Sequence, residues 1–453
     1  MFLGIDLGTS GLKLALLGAD GTLLGEAEST YPVSQPAPGR AETDPVAWAA
    51  ALRAALDQLP AGHRIAAAGI AGQMHGAVLC DEAGAPVRPA VLWPDQRAAA
   101  QLARWRALPG DARARLANPL VPGMTGPIAA WLAEHEPAAV ARAAHLLLPK
   151  DYLRTVLIGP PVTERSDASA TLLWDVVADG WSAAAVAAAG VPERLLPPVV
   201  DSAAVVGEAG ALGGALVVAG CADTPAALLA TGDGVATQVN LGTGAQVLRR
   251  VAAPQPVPAP VTHLYATADR GWYAMAAVQN AGLALDWVAR TLGLDWPELV
   301  AAATAVPAGA RGVSFLPFLT GERGGIADPS SRGGWWGLTA ATSRADLARA
   351  AVEAMIFTVR RAAELLGPLG PAVRLTGGGG REPLVRRLLA DALGVPVRRI
   401  EVRSASATGA AMLAARATGV RLIPKRAESP EVAPRANPAL EDAYERWRAA
   451  ILL

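Results

Sequence analysis

Two acidic residues stand where the chain could bring a carboxylate to a phosphate. Asp6 closes an alternating apolar stretch and is followed at once by Leu7-Gly8-Thr9-Ser10-Gly11. A tight Gly-Thr turn aims backbone amides and a hydroxyl at one point, where a bulkier loop would block a phosphate. The same pattern returns as Leu241-Gly242-Thr243-Gly244-Ala245, and two such turns could grip one polyphosphate from opposite sides. A carboxylate beside a phosphate turn repels the ligand unless a cation lies between them, and magnesium, which accepts few protein oxygens, fits that role. The plainer role for Asp6 is an Asx-type turn stabiliser. Asp223 follows the apolar stretch 215–219 and opens Asp-Thr-Pro-Ala, with Pro225 near the start of an expected helix. It can cap that helix, or serve as general base toward a hydroxyl, the one proton transfer that phosphoryl transfer asks of a protein.

Two further segments could touch a ligand. Thr376-Gly377-Gly378-Gly379-Gly380-Arg381 lies between an expected strand at 372–375 and a helix from Pro383, so a flat ring could rest against its backbone. The spacing is neither GxGxxG nor GxxxxGK[ST], so no dinucleotide fold or P-loop is indicated. His75 sits just past an expected strand with no second His or Cys at metal-ligand spacing. It suits a hydrogen bond to a hydroxyl-rich ligand or a satisfied core position.

The elements that must position these residues repeat. Residues 1–28 read as three short strands with a hairpin signal at Asp20-Gly21. A helix follows with Asp44 as N-cap, Pro45 at its first position and an apolar stripe of Val46, Ala49, Leu52, Leu56 and Leu59. A buried strand is expected at 65–70. The second half reopens with strands at 235–240, 246–251, 262–267 and 272–275, then helices at 283–292, 343–366 and 383–393. The Pro-rich stretch 253–261 reads as a surface loop. A chain of 453 residues exceeds one core, so we expect an α/β protein of two duplicated units, 1–232 and 233–453, with the boundary near Asp233.

Forty basic residues balance forty acidic ones, which gives no support to nucleic-acid or membrane-surface binding. Cys80 and Cys221, the only cysteines, provide neither a disulfide framework nor a CxxC metal pattern. The start lacks a signal-peptide pattern and the most apolar window, 211–222, is too short to span a bilayer. A cytoplasmic protein is the expectation.

Taken in order, the motifs resemble the FGGY carbohydrate kinases, and within them the xylulokinase branch. The resemblance is carried by GIDLGTSGLK (4–13), AGQMHGAVL (71–79), LWPDQR (92–97), LLPKDYLR (147–154), SDASAT (166–171), GCADTPA (220–226), LGTGAQV (241–247), FLPFLTGER (315–323) and the glycine run with REPLVRRLLAD. It spans residues 1 to about 419. It implies two ribonuclease-H-like (actin-like ATPase) domains around a central cleft, the first for sugar and the second for ATP. The implied reaction is ATP plus D-xylulose giving D-xylulose 5-phosphate and ADP. Asp223 would be the catalytic base, with Met74, His75 and Thr224 at the ketose. Asp6 would act beside Mg2+, which Asp6 and Asp223 would hold. Thr9, Ser10, Lys13, Gly242 and Thr243 would face phosphates, and Gly282, Gly378, Gly379 and Gly380 would line the nucleotide pocket. Kinases of this family are often homodimers. Four positions depart from the family pattern: Thr224 for Asn, Pro94 for Asn, Ile128 for Lys, and Gly244 for Ser. Another ketose or polyol (ribulose, a deoxy-ketose) is therefore the alternative substrate. A sugar- or nucleotide-binding regulator with impaired catalysis is the alternative class.

Overall fold

The computed structural model describes residues 1–60, 62–232, 237–322 and 324–451. The expected boundary at Asp233 and Arg323 of the FLPFLTGER motif lie outside the described residues.

Two seven-stranded mixed sheets form the frame. In the first, Phe2–Leu7 is the hub. It pairs antiparallel with Gly11–Leu17, which pairs antiparallel with Leu23–Thr30, and on its other side it runs parallel to Ala67–Gly72. Ala215–Val218 and then Cys221–Ala222 continue parallel to Ala67–Gly72. The second sheet repeats this around Thr237–Leu241, which pairs antiparallel with Ala245–Val251 and parallel with Val373–Thr376. Trp272–Val278 takes the outer hairpin position and Val397–Glu401 the far parallel one. The repeat expected from the Gly-Thr turns is thus a repeat of strand order, and the two-domain ribonuclease-H-like class holds. The stretch 253–261 is exposed loop, as expected.

Local chemistry explains the elements. Leu3, Ile5 and Leu7 are fully buried on the hub strand, because parallel strands covered on both faces need apolar side chains. The Pro45–Leu56 helix has Asp44 as N-cap, its carboxylate accepting from the Val46 amide at 3.0 Å. Its stripe differs from the expected one. Ala49 and Leu52 are buried and Leu56 and Leu59 pack against the core as expected, whereas Val46 is exposed and Trp48 and Ala55 are buried in addition. The expected strand at 65–70 forms two residues later, at Ala67–Gly72. Ser343 ends the loop before Arg344–Leu365 with a capping box to Asp346.

One element crosses over. The Ala405–Ala417 helix lies in the chain between Val397–Glu401 and Ala427–Glu428 of the second sheet, yet it lies against Phe2–Leu7 and Ala67–Gly72 of the first and against the Asp223–Thr231 helix. Backbone meets backbone there. A Cβ on Gly4 would stand 1.7 Å from the Ala407 carbonyl oxygen, and one on Gly409 would stand 1.9 Å from that of Ala226. Neither neighbour can yield without moving a whole helix. Gly4→Ala is therefore expected to cost about 3 kcal/mol, at the upper end of overpacking. Urea titrations of wild type and variant would show this as a lower midpoint at unchanged slope.

Candidate active site

Between the sheets lies a cleft of about 1060 Å³ whose walls include Asp6, Lys13, Trp93, Asp223 and Thr224 from one half and Asn240, Gly242, Thr243 and Gly378 from the other. Asp6 sits on the hub strand, and Asn240 holds the matching place on the second hub, one residue before its Gly-Thr segment. The duplication thus supplies a carboxylate on one wall and a neutral amide on the other.

The second turn is one residue shorter than the first, since the flanking pairs are Leu7 with Leu12 and Leu241 with Ala245. The Gly8 amide donates to the Gly11 carbonyl at 2.9 Å, and the Gly242 amide donates to the Gly244 carbonyl at 2.9 Å. These glycine amides are spent on holding the turn. The amides of Thr243 and Gly244 have no partner among the described residues, so they remain for a ligand. In the first turn, Thr9 receives the Trp93 indole N–H on its hydroxyl at 2.9 Å. Tyr31 donates its hydroxyl to the Gly8 carbonyl and Gln73 donates its amide to the same oxygen. Thr9 and Ser10 are not among the lining residues of the cleft. The first turn is braced from behind, while the second opens into the cavity.

Asp223 is the first residue of the Asp223–Thr231 helix, with Ala222 as N-cap. Asp223 is not the N-cap residue, but its Oδ1 accepts from the Thr224 amide of the first helical turn at 2.6 Å and from the Thr224 hydroxyl at 3.2 Å, so it satisfies a helix-start amide while bordering the cleft. Burial pushes its carboxyl up to about 6, against those two hydrogen bonds. Asp6 is pushed up to about 7, first by burial and then by the charge of Asp223, with Lys13 opposing. Asp6 Oδ1 is buried and has no hydrogen-bond partner among the described residues. An orphaned carboxylate oxygen facing a second carboxylate is what a small oxygen-seeking cation satisfies, so the residues present fit magnesium. No group of three or more His, Cys, Asp or Glu that could hold a metal alone occurs among the described residues, so a cation here would draw further oxygens from water or phosphate.

Met74 is buried in an apolar cluster that also contains Ala222, Tyr265 and Tyr273. His75 is half-buried with φ at +67°. Its Nδ1 lies 2.6 Å from the Ala170 carbonyl oxygen, which can only accept, so Nδ1 carries the proton. Neither residue is in the lining of the main cleft. Thr224 and Pro94 line it, as does Gly244, whereas Ile128 is fully buried in the core with Met124 and Trp131. The Ile128 departure is therefore a packing change. Gly244 is constrained too, because a Cβ there would lie 2.6 Å from the Val278 carbonyl oxygen.

A smaller cavity of about 390 Å³ adjoins the second turn, lined by Leu241, Gly242, Gly282, Gly378, Gly379, Trp296, Met355 and Glu382. Gly282 stands so close that a Cβ would come within 2.5 Å of the Gly242 carbonyl oxygen. Gly380 is buried behind this wall and lines neither cavity. Trp93, Asn240, Trp296 and Glu382 escaped the sequence reading. Asn240 had a signal, since it occupies the repeat position of Asp6. Trp296 and Glu382 come from separate helix starts and had none.

The model of the FGGY family of carbohydrate kinases, N-terminal domain, matches residues 1–232, and that of the C-terminal domain matches 238–418. A xylulose kinase of Escherichia coli (strain K12) is 32% identical over 443 residues, spanning 94% of this chain and 91% of the relative. A Brucella ovis crystal structure described as a xyloylose kinase superposes with a TM-score of 0.92 at 32% identity, covering 99% of this chain and 98% of that one. A gluconate kinase from Lactobacillus acidophilus, at 24% identity and covering 99% and 96%, reaches a TM-score of 0.91 and shares the fold alone.

The titration of Asp6 gives a test without turnover. A carboxyl raised on folding holds an extra proton in the native state, so its contribution is intact below the unfolded value of 3.8 and is lost as pH rises through about 7. In metal-free buffer the melting temperature of wild type should fall across that window. Asp6→Asn should flatten the fall, as thermal scans at stepped pH would show.

Proposed function

The chain belongs to the FGGY family of carbohydrate kinases, and from that premise we propose that its sugar is D-xylulose, phosphorylated on the C5 hydroxyl with Asp223 as general base. That it is a carbohydrate kinase using ATP follows from the family and its relatives. The finer reading is supported by one observation. The carboxylate of Asp223, held at the start of a helix, borders the same cleft as the Gly242-Thr243 turn of the opposite half.

In this reading Asp223 accepts the proton of the C5 hydroxyl as that oxygen attacks the γ-phosphorus, and the bond to the β-phosphate oxygen breaks to release ADP. A base with a carboxyl near 6 is ionised at neutral pH yet basic enough to help. Thr243 and Gly244 offer their amides to phosphate oxygens, and Lys13 faces the same space. Asp6, with Asp223, would hold magnesium, which when bound offsets the charge of the phosphates. Closure of the cleft would exclude water and limit idle ATP hydrolysis. The smaller cavity suits a flat base, with glycine backbone on one side and Trp296 and Met355 as its apolar surface. We also propose the division into 1–232 and 233–453, with the reservation of the Ala405–Ala417 helix to the first sheet. Among the described residues no helix is long and apolar enough to cross a membrane.

Thr224 favours a second reading for the sugar alone. Its amide and hydroxyl both point to Asp223 Oδ1, so it spends on the base a donor that an Asn there could offer to a ligand. A kinase for ribulose or another ketose would follow.

ADP release with magnesium and ATP, measured over a panel of ketoses and polyols, separates these readings. The largest kcat/KM is expected for D-xylulose, and a higher value for another sugar moves the assignment to it. Asp223→Ala should lower kcat at least about 10²-fold. The wild-type rate should fall on the acid side as Asp223 takes up a proton, with a midpoint at or below about 6, because bound magnesium opposes protonation.

A further inference from the structure

Beneath the cleft floor lies an ionic cluster that the proposed chemistry does not use. Lys150, Asp151, Arg154, Glu164 and Asp167 are all fully buried. The Lys150 ammonium lies 2.7 Å from Asp151, 2.9 Å from Asp167 and 3.7 Å from Glu164, and Arg154 donates to Asp151 at 2.7 Å. Two cations face three carboxylates. Burial pushes Asp167 up to about 8, with Lys150 opposing and Glu164 and Asp151 adding, so a proton on Asp167 leaves the cluster neutral.

Charge burial of this extent is a poor source of stability, since apolar side chains of similar volume often serve as well. The direction of its hydrogen bonds shows another use. Glu164 accepts from the Ser166 hydroxyl at 2.7 Å, the Ser166 amide at 2.9 Å, the Asp167 amide at 2.9 Å and the Ser202 hydroxyl at 2.8 Å, which fixes the Ser166 hydroxyl in one orientation. With its proton committed to Glu164, Ser166 Oγ accepts from the Ala222 amide at 2.9 Å. Ala222 is the residue before Asp223. On the other side of the corner, Arg154 donates to the Ala219 carbonyl at 3.0 Å. Between these anchors Gly220 makes the turn at φ +85°.

We propose that Ser166 is a positioning residue for Asp223, and that the buried cluster fixes, through Ser166 and Arg154, the corner that aims this carboxylate into the cleft. Side chains hold three backbone groups of this corner, the Ala219 carbonyl, the Ala222 amide and the carbonyl of Asp223 itself, which accepts from the Ser406 hydroxyl at 3.1 Å, beside the Ala219 and Gly220 amides, which donate to the Ala204 and Ser202 carbonyls. Two of the three are held by the cluster. The SDASAT and PKDYLR segments, distant in sequence from Asp223, thereby act on it through the chain. The inference rests on Asp223 being the base.

The test is Ser166→Ala, assayed beside Asp223→Ala in the full chain with D-xylulose, ATP and magnesium. A misaimed base slows the chemical step without touching substrate affinity. Ser166→Ala should thus lose roughly 10- to 10²-fold in kcat, with KM for sugar and ATP within about twofold of wild type. The rate is referred to the folded fraction, measured by circular dichroism. A kcat per folded molecule equal to wild type overturns the proposal, and so does a loss confined to KM. Should Ser166→Ala fail to fold, Ser202→Ala, which removes only one donor from Glu164, must show a smaller kcat loss at kept KM; unchanged kcat there also overturns it. Full activity in Asp223→Ala would sink the base assignment itself. An inactive Asp223→Ala with a fully active Ser166→Ala would sink only the positioning role.

Discussion

The structure turns on two half-buried carboxylates held close together on the wall of one cleft. Asp6 ends the hub strand of the first sheet, Asp223 starts a helix beyond the neighbouring strand, and the charge of one raises the pKa of the other. Like charges buried together are costly unless something offsets them. Asp223 is relieved by Thr224 and by its own backbone amide, and Asp6 has Lys13 opposite it across the hairpin and an oxygen without a partner among the described residues. The cleft is therefore poised for a ligand that brings positive charge, and the second turn presents amides for the negative charge that travels with it. The two halves divide the electrostatic labour through a single substitution in the repeat, aspartate in one hub and asparagine in the other.

Much of this was legible in the sequence. The hub strands, the Gly-Thr turns and the long helices carry strong local patterns, and their boundaries came within two residues where the structure describes them. Asp6 and Asp223 were legible because an acidic residue at the end of an apolar strand is an uncommon place for charge. The reading failed where a side chain's surroundings come from distant segments. Thr9 has the expected turn, and its oxygen accepts from the indole of a tryptophan 84 residues away, a partner that spacing does not show. Val46 has the right spacing for the core, but it is exposed while Trp48 is buried. Gly380 shares the run that lines the small cavity and is folded behind it.

The motifs LLPKDYLR and SDASAT show the reverse case. They mark a resemblance strongly, but composition and spacing give no role for them, because a lysine among aspartates reads as solvated surface. Only in three dimensions does Lys150 prove fully buried, its stem against the backbone at Gly72, where a Cβ would approach to 2.9 Å of its own.

The crossing of the Ala405–Ala417 helix has a consequence for how the molecule comes into being. Residues near the carboxyl terminus form part of the floor for strands made first on the ribosome. The opening sheet must leave synthesis with an uncovered apolar face at Gly4 and Gly69, and it waits for nearly the whole polypeptide to emerge before that face is roofed. A cut at the midpoint would thus yield one fragment missing its lid and another carrying a spare one. Independent expression of the halves would leave apolar surface uncovered on both pieces, because the helix that roofs the first sheet belongs to the second half of the chain.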